Sequence, residues 1–146
     1  MQSVEITLDF ILNMHESEWG ITEKYGNLSA RLANLIKTAY EKSGRKVVVL
    51  VDEYDRALVN TMDDPQIHKE LTTFFKGFYG VLKGMDYARR FVFLTGVSKF
   101  AKVSVLSDLN QLIDISLIGQ YAEICGISEA ELLAQFQPEL HTLAKE

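Results

Sequence analysis

From Val4 to Phe10 apolar and polar residues alternate (Val-Glu-Ile-Thr-Leu-Asp-Phe), the period of a half-buried strand. Ile11 to Gly26 is mixed, and reads as helix plus loop. From Leu28 to Tyr40 the apolar positions 28, 32, 35, 36 and 39 repeat at helical spacing, and Ser43-Gly44 supplies a left-handed stop. Val47 to Val51 is continuously apolar and mostly β-branched, the pattern of a strand buried on both faces in the middle of a parallel sheet. Asp64 and Pro65 then open a helix as N-cap and first-turn proline. Its apolar stripe is Ile67, Leu71, Phe74, Phe75, Phe78 and Leu82. Gly77, Gly80 and Gly84 on that stretch suggest close packing of helix on sheet. Phe91 to Leu94 is a second apolar strand, so strand, helix and strand predict a right-handed βαβ unit with parallel strands. Leu109 to Leu117 is a short strand or an irregular segment. Ser128-Glu-Ala-Glu131 has the form of a capping box, within a helical tail from about Gly119 onward.

Composition narrows the class. The 146 residues suit one domain, and 47% hydrophobic against 24% charged residues is a globular balance. Cys125, the single cysteine, allows no internal disulfide and reads as a small buried residue; a reducing, cytoplasmic compartment fits. No apolar run is long enough to span a membrane. The formal net charge of −5 does not support binding to nucleic acid. Arg89, Arg90, Lys99 and Lys102 are read as solvated or ion-paired surface charges, although all four lie near the ends of the second strand. His15, His68 and His141 have no ligand spacing with Cys125.

The chemistry-bearing feature is Val47-Val-Val-Leu-Val-Asp52-Glu53. In an open parallel sheet, ligands bind at the carboxyl ends of strands. An apolar strand ending in two acids is the Walker B pattern. There the first acid holds magnesium, usually through water, and the second orients or deprotonates an attacking water. Read locally, the same acids cap the next turn. The second strand ends in Thr95-Gly-Val-Ser98 at the same sheet edge. Thr95 is the first candidate to sense a terminal phosphate and Ser98 the second; alternatively the Thr95 hydroxyl serves only its own turn at Gly96. Asp52, Glu53 and Asp55 together also admit a less favoured reading, a carboxylate cluster for metal-dependent phosphodiester cleavage.

Five ordered blocks carry a resemblance that runs from about Val4 through almost the whole chain. They are Val48–Arg56 (Val-Val-Leu-Val-Asp-Glu-Tyr-Asp-Arg), Phe75–Tyr79, Arg90–Phe100, Leu109–Leu117 and Tyr121–Gly126. Together they resemble the predicted AAA-ATPase-like family. The resemblance implies an α/β fold of the P-loop NTPase type: a three-layer sandwich fragment with a short parallel sheet, followed by part of a helical lid. It divides the chain into residues 1–106, a partial NTPase core, and 107–146, the start of the lid. It implies Asp52 for magnesium and nucleotide, Glu53 for water activation and Thr95 as sensor; Ser98, from its place at the same strand end, is read as a further nucleotide contact. It also implies ATP and Mg²⁺ as cofactors of the complete protein, and a nuclease-like domain downstream.

One family element does not occur in these residues. None of the nine glycines is followed by Lys-Ser or Lys-Thr, so no phosphate-cradling Walker A loop lies within the chain. The expectation is a fragment of an ATPase that holds ATP weakly on its own. Its sheet, formed by Val4–Phe10, Val47–Val51 and Phe91–Leu94, would expose one strand edge to self-association. The alternative expectation is a non-catalytic interaction or regulatory module with a degenerate NTPase fold.

Overall fold

A computed structural model of the chain describes residues 2–98 and 104–144, which fall into two compact units, Met1–Leu112 and Ile113–Glu146. Lys99 and Lys102 lie outside the described residues.

The first unit opens with helix α1 (Gln2–Glu18), which replaces the strand expected over Val4–Phe10. The reason is that the residues fit both periods. Val4, Leu8 and Leu12 also recur every fourth position, and that face is the one packed on the core. Ile6 and Phe10, the other half of the alternation, are left exposed, Phe10 at 69%. Helix α2 (Leu28–Ser43) begins as Asn27 accepts the Ala30 N–H at 2.8 Å and ends at Gly44 with φ 66°. Both termini follow local side-chain chemistry.

A polar clasp joins α1 to α2. Asp9, Asn13 and Glu16 lie along one face of α1 at helical spacing, and Arg31 of α2 reaches all three. Its Nε donates to Glu16 Oε1 at 2.9 Å and its Nη2 to Glu16 Oε2 at 2.7 Å, a two-pronged pair. Nη2 also donates to Asn13 Oδ1 at 3.0 Å, and Nη1 pairs with Asp9. Glu16 and Arg31 are both buried, whereas Asp9 is exposed. Hydrogen bonding from Arg31 holds the Asp9 carboxyl below its usual range, and the Glu16 hydrogen bonds raise Arg31 further.

The chain next forms strand β1 (Val47–Val51), the short helix α3 (Arg56–Val59), helix α4 (Pro65–Gly80), a 3₁₀ turn over Val81–Gly84, and strand β2 (Arg89–Leu94). Asp64 caps α4 by accepting from Gln66 and Ile67 N–H, with Pro65 in the first turn as expected. The strands pair in parallel: Val48 opposes Phe91, Leu50 opposes Phe93 and Val51 opposes Leu94, with a register shift between Val47 and Val48. The described residues thus form a mixed α/β unit around a two-stranded parallel sheet.

Sheet and core differ from expectation in two ways. First, β1 is not buried on both faces. Val47, Val49 and Val51 pack on the core with Val92 and Leu94, while Val48, Leu50 and Phe91 on the other face are exposed, Leu50 at 70%. Among the described residues the sheet has two strands, and its outer face keeps these apolar residues exposed. Second, a Cβ added at Gly77, Gly80 or Gly84 would meet nothing within 4 Å, so these glycines do not mediate close packing. The buried cluster instead gathers Leu12, Ile36, Leu58, Leu71, Phe75 and Leu82 with their neighbours.

In the second unit, Gly119–Tyr121 is a 3₁₀ turn, followed by helices α5 (Glu129–Gln135) and α6 (Gln137–Leu143). The capping box is present: the Ser128 hydroxyl accepts the Glu131 N–H at 3.2 Å and Glu131 Oε2 accepts the Ser128 N–H at 2.9 Å. Cys125 is exposed rather than buried, because it lies in a turn of a segment with little interior. No described helix is long and apolar enough to cross a membrane.

Candidate functional site

The parallel register determines what meets at the carboxyl end of the sheet. Val51 pairs with Leu94, so the next residues, Asp52 and Thr95, come side by side. The ladder runs one step further: Thr95 N–H donates to Val51 C=O at 2.9 Å, and Tyr54 N–H donates to Thr95 C=O at 2.9 Å. The Thr95 hydroxyl then has two partners. It donates to Asp52 Oδ1 and accepts the Glu53 N–H at 3.0 Å. One hydroxyl thus bridges the carboxylate of the first acid and the backbone of the second.

Glu53 stands at φ 51°, in the left-handed region that a residue with a Cβ adopts at a cost of about 1–3 kcal/mol. Its carboxylate pairs with Arg56 Nη1 at 3.0 Å on the exposed surface. Asp52 is exposed as well. A hydrated magnesium ion needs only one or two protein carboxylates besides substrate phosphates, and an exposed Asp52 beside a hydroxyl suits that demand. Among the described residues no group of three or more His, Cys, Asp or Glu could hold a metal ion, so Asp55 does not join a cluster.

Asp55 has a different task. It is fully buried at the N-cap of α3, yet its side chain makes no cap bond to that helix. The carboxylate turns across to the segment after β2. There Val97 N–H donates to Oδ2 at 3.0 Å and to Oδ1 at 3.2 Å, and Ser98 N–H donates to Oδ2. Tyr54 is buried beside it, edge-on to Tyr79 with ring centroids 6.4 Å apart. Burial pushes the Tyr79 hydroxyl well above its usual range, with the neighbouring Tyr54 and Asp55 adding to the shift. Gly96 lies against this pair. Among the sequence-derived candidates, Asp52, Glu53 and Thr95 are therefore brought together. Ser98 is engaged through its backbone, and its C=O also accepts the Tyr54 hydroxyl at 3.5 Å. Arg89 is ion-paired with Asp86, and Arg90 is exposed.

A cleft of about 1150 Å³ runs along β1 between α1, α2 and α4, and reaches Asp52 and Glu53. Val47 to Val51 all contribute to it, with Leu8, Ile11 and Leu35 among the helical side chains. Neither this cleft nor the turned-away Asp55 was legible in the apolar pattern. The one local signal for Asp55 is its position three residues beyond the strand-terminal acid.

Comparisons with known proteins bear on the whole unit. A family model described as "Predicted AAA-ATPase" matches residues 1–106. The "Uncharacterized protein in vnfD 5'region" of Azotobacter chroococcum mcd 1 is 39% identical over 145 residues, which is 99% of this chain and 28% of that protein. The chain thus spans less than a third of the length of this relative. No solved structure matches. Because the family match covers well over half of the chain and includes the Asp52, Glu53 and Thr95 site, the chain belongs to the predicted AAA-ATPase family.

Proposed function

We propose that this chain contributes the magnesium-binding and water-activating side of an ATP-hydrolysing site. The observation that carries the reading is the Thr95 hydroxyl bridging Asp52 and Glu53 at the carboxyl end of a parallel strand pair. In this reading the fold is of the P-loop NTPase type. Asp52 would hold a hydrated Mg²⁺, whose charge would offset the charge that develops on a transferring phosphoryl group. Glu53 orients the attacking water and takes its proton; Thr95 ties Asp52 to the Glu53 backbone, and its one O–H turns from Asp52 to the terminal phosphate when nucleotide arrives. Ser98 is a second nucleotide contact. This reading requires a phosphate-cradling loop of the Gly-Lys-Ser type, which does not occur in these 146 residues, to be supplied from outside them.

The test uses the natural polypeptide that carries these residues. Glu53→Gln should bind Mg-ATP normally and lose at least about 100-fold in turnover, the range of a lost general base. Asp52→Asn should lose turnover that rising magnesium partly restores. The 146-residue chain alone should show no micromolar binding of Mg-ATP by calorimetry. Unchanged turnover in both variants refutes the role assignment.

A second reading, a non-catalytic docking module, draws on the apolar outer sheet face of Val48, Leu50 and Phe91. Among the described residues nothing pairs with the outer edge of β2, where a further strand or a second copy would add. Normal cellular function of the Glu53→Gln variant would favour this reading.

A further inference from the structure

Asp55 departs from the usual use of an aspartate at a helix start. An aspartate at an N-cap ordinarily accepts from its own helix. Asp55 does not cap α3, and its fully buried carboxylate is turned instead to the N–H groups of Val97 and Ser98. A buried carboxylate needs such charge-assisted bonds to offset its desolvation. The two donors follow Thr95 by two and three residues, so Asp55 holds down the backbone that carries the bridging hydroxyl. The turns on either side approach closely. A Cβ at Gly96 would lie 2.5 Å from Tyr54 Cε1 and 2.7 Å from Asp55 Oδ1, so the approach requires glycine there. The strained Glu53 backbone is held from the same side, by its N–H bond to Thr95.

We infer that Asp55 is a positioning residue of the hydrolytic site, acting through Thr95. Its carboxylate clasps the Gly96–Ser98 turn to the end of β1, and this sets the Thr95 hydroxyl between Asp52 and Glu53. The inference rests on the proposed reading of Asp52, Glu53 and Thr95. Displacement of a reacting group by about 1 Å can cost roughly 100-fold in rate, so a clasp of this kind shows in turnover.

The experiment compares Asp55→Asn, Thr95→Ala and the double variant in the natural polypeptide, with Glu53→Gln as the control. Asn keeps one oxygen that can receive both N–H groups, as Oδ2 does here, but it removes the charge that strengthens those bonds and sets an NH₂ donor in place of Oδ1, against the Val97 N–H, so the clasp weakens. The expected result is a 10- to 100-fold fall in kcat (about 1.4–2.8 kcal/mol) with KM for Mg-ATP changed less than about threefold. In the Thr95→Ala background, Asp55→Asn should cost little more, because its route to the reaction is already gone. A structural role alone predicts multiplying effects instead. If Asp55→Asn does not fold, as judged by circular dichroism, Gly96→Ala displaces the same carboxylate and is held to the same criteria. Normal kcat in the folded variant, or multiplying effects, overturns this inference while an inactive Glu53→Gln leaves the hydrolytic reading standing. Full turnover in Glu53→Gln, or no ATP turnover at all, overturns both.

Discussion

Neutralising Glu16 should unfasten α1 from α2. The Glu16 carboxylate takes two hydrogen bonds from Arg31 at 2.9 and 2.7 Å, with both partners buried. Glu16→Gln leaves the guanidinium in the interior with only the exposed Asp9 as a charged partner. Breaking a buried pair from one side costs about 3–5 kcal/mol, because the remaining charge is desolvated and unpaired. Asp9→Asn removes a partner whose side chain is 52% exposed and screened by solvent, and should cost far less. For a unit of this size a loss of 3 kcal/mol lowers the melting temperature by roughly 10–15 °C. Replacing both partners by apolar residues, Glu16→Leu with Arg31→Met, removes the unpaired charge and should recover most of the loss. Urea unfolding followed by circular dichroism gives the free energies. Trp19, the single tryptophan, follows α1 directly and accepts Lys42 Nζ through its C=O, so its emission reports undocking of that helix. Equal, small losses for Glu16→Gln and Asp9→Asn would refute the reasoning, as would a double variant no better than the single one.

Two further outcomes follow from local structure. Gly77→Ala should stabilise α4 by about 0.5–1 kcal/mol, since a Cβ there meets open space and the unfolded chain loses freedom; a lower melting temperature would show that this face is packed after all. The Ser128 backbone N–H and hydroxyl hold the Glu131 carboxyl below its usual range. Its stabilising effect on α5 is therefore complete above the ordinary carboxylate value of about 4.3 and is lost as pH falls through the depressed one. Amide protection at Ser128 and Glu131, taken against the intrinsic exchange rate at each pH, should fall over that acidic interval in the native chain and not in Glu131→Gln, which keeps an acceptor but does not titrate; an identical fall in both would remove the capping box as its source.

The elements legible in the sequence are those fixed by neighbours along the chain. Asn27 and Gly44 bound α2, Asp64 and Pro65 start α4, and Ser128 with Glu131 opens α5, each through contacts within a few residues. Helix α1 was not legible because Val4, Ile6, Leu8 and Phe10 alternate at period two while Val4, Leu8 and Leu12 also repeat at period four. What selects the helix is the buried Arg31, which needs Asp9, Asn13 and Glu16 on one face. A strand would divide Asp9 and Asn13 from Glu16 between its two faces, and no local pattern of hydrophobicity carries that requirement. The exposed face of β1 was missed for a related reason. A run of valines states that both faces are apolar, not that both are covered.

The site divides along the same line. Strand register alone brings Thr95 rather than Ser98 to Asp52, because the Val51–Leu94 pair is followed by one more ladder step and then the turn. Two strands ending at one edge imply that meeting before any side chain is placed. Asp55 could not be inferred this way, since its partners are backbone N–H groups 42 and 43 residues away, and any residue but proline supplies one. Its burial decides between the two uses of the third acid. A carboxylate meant for a metal must keep oxygens open to it, whereas both Asp55 oxygens receive N–H groups in a site closed to solvent. The acidic motif is therefore divided by environment: Asp52 and Glu53 face solvent where a phosphate could arrive, and Asp55 is committed to holding the opposite turn in place.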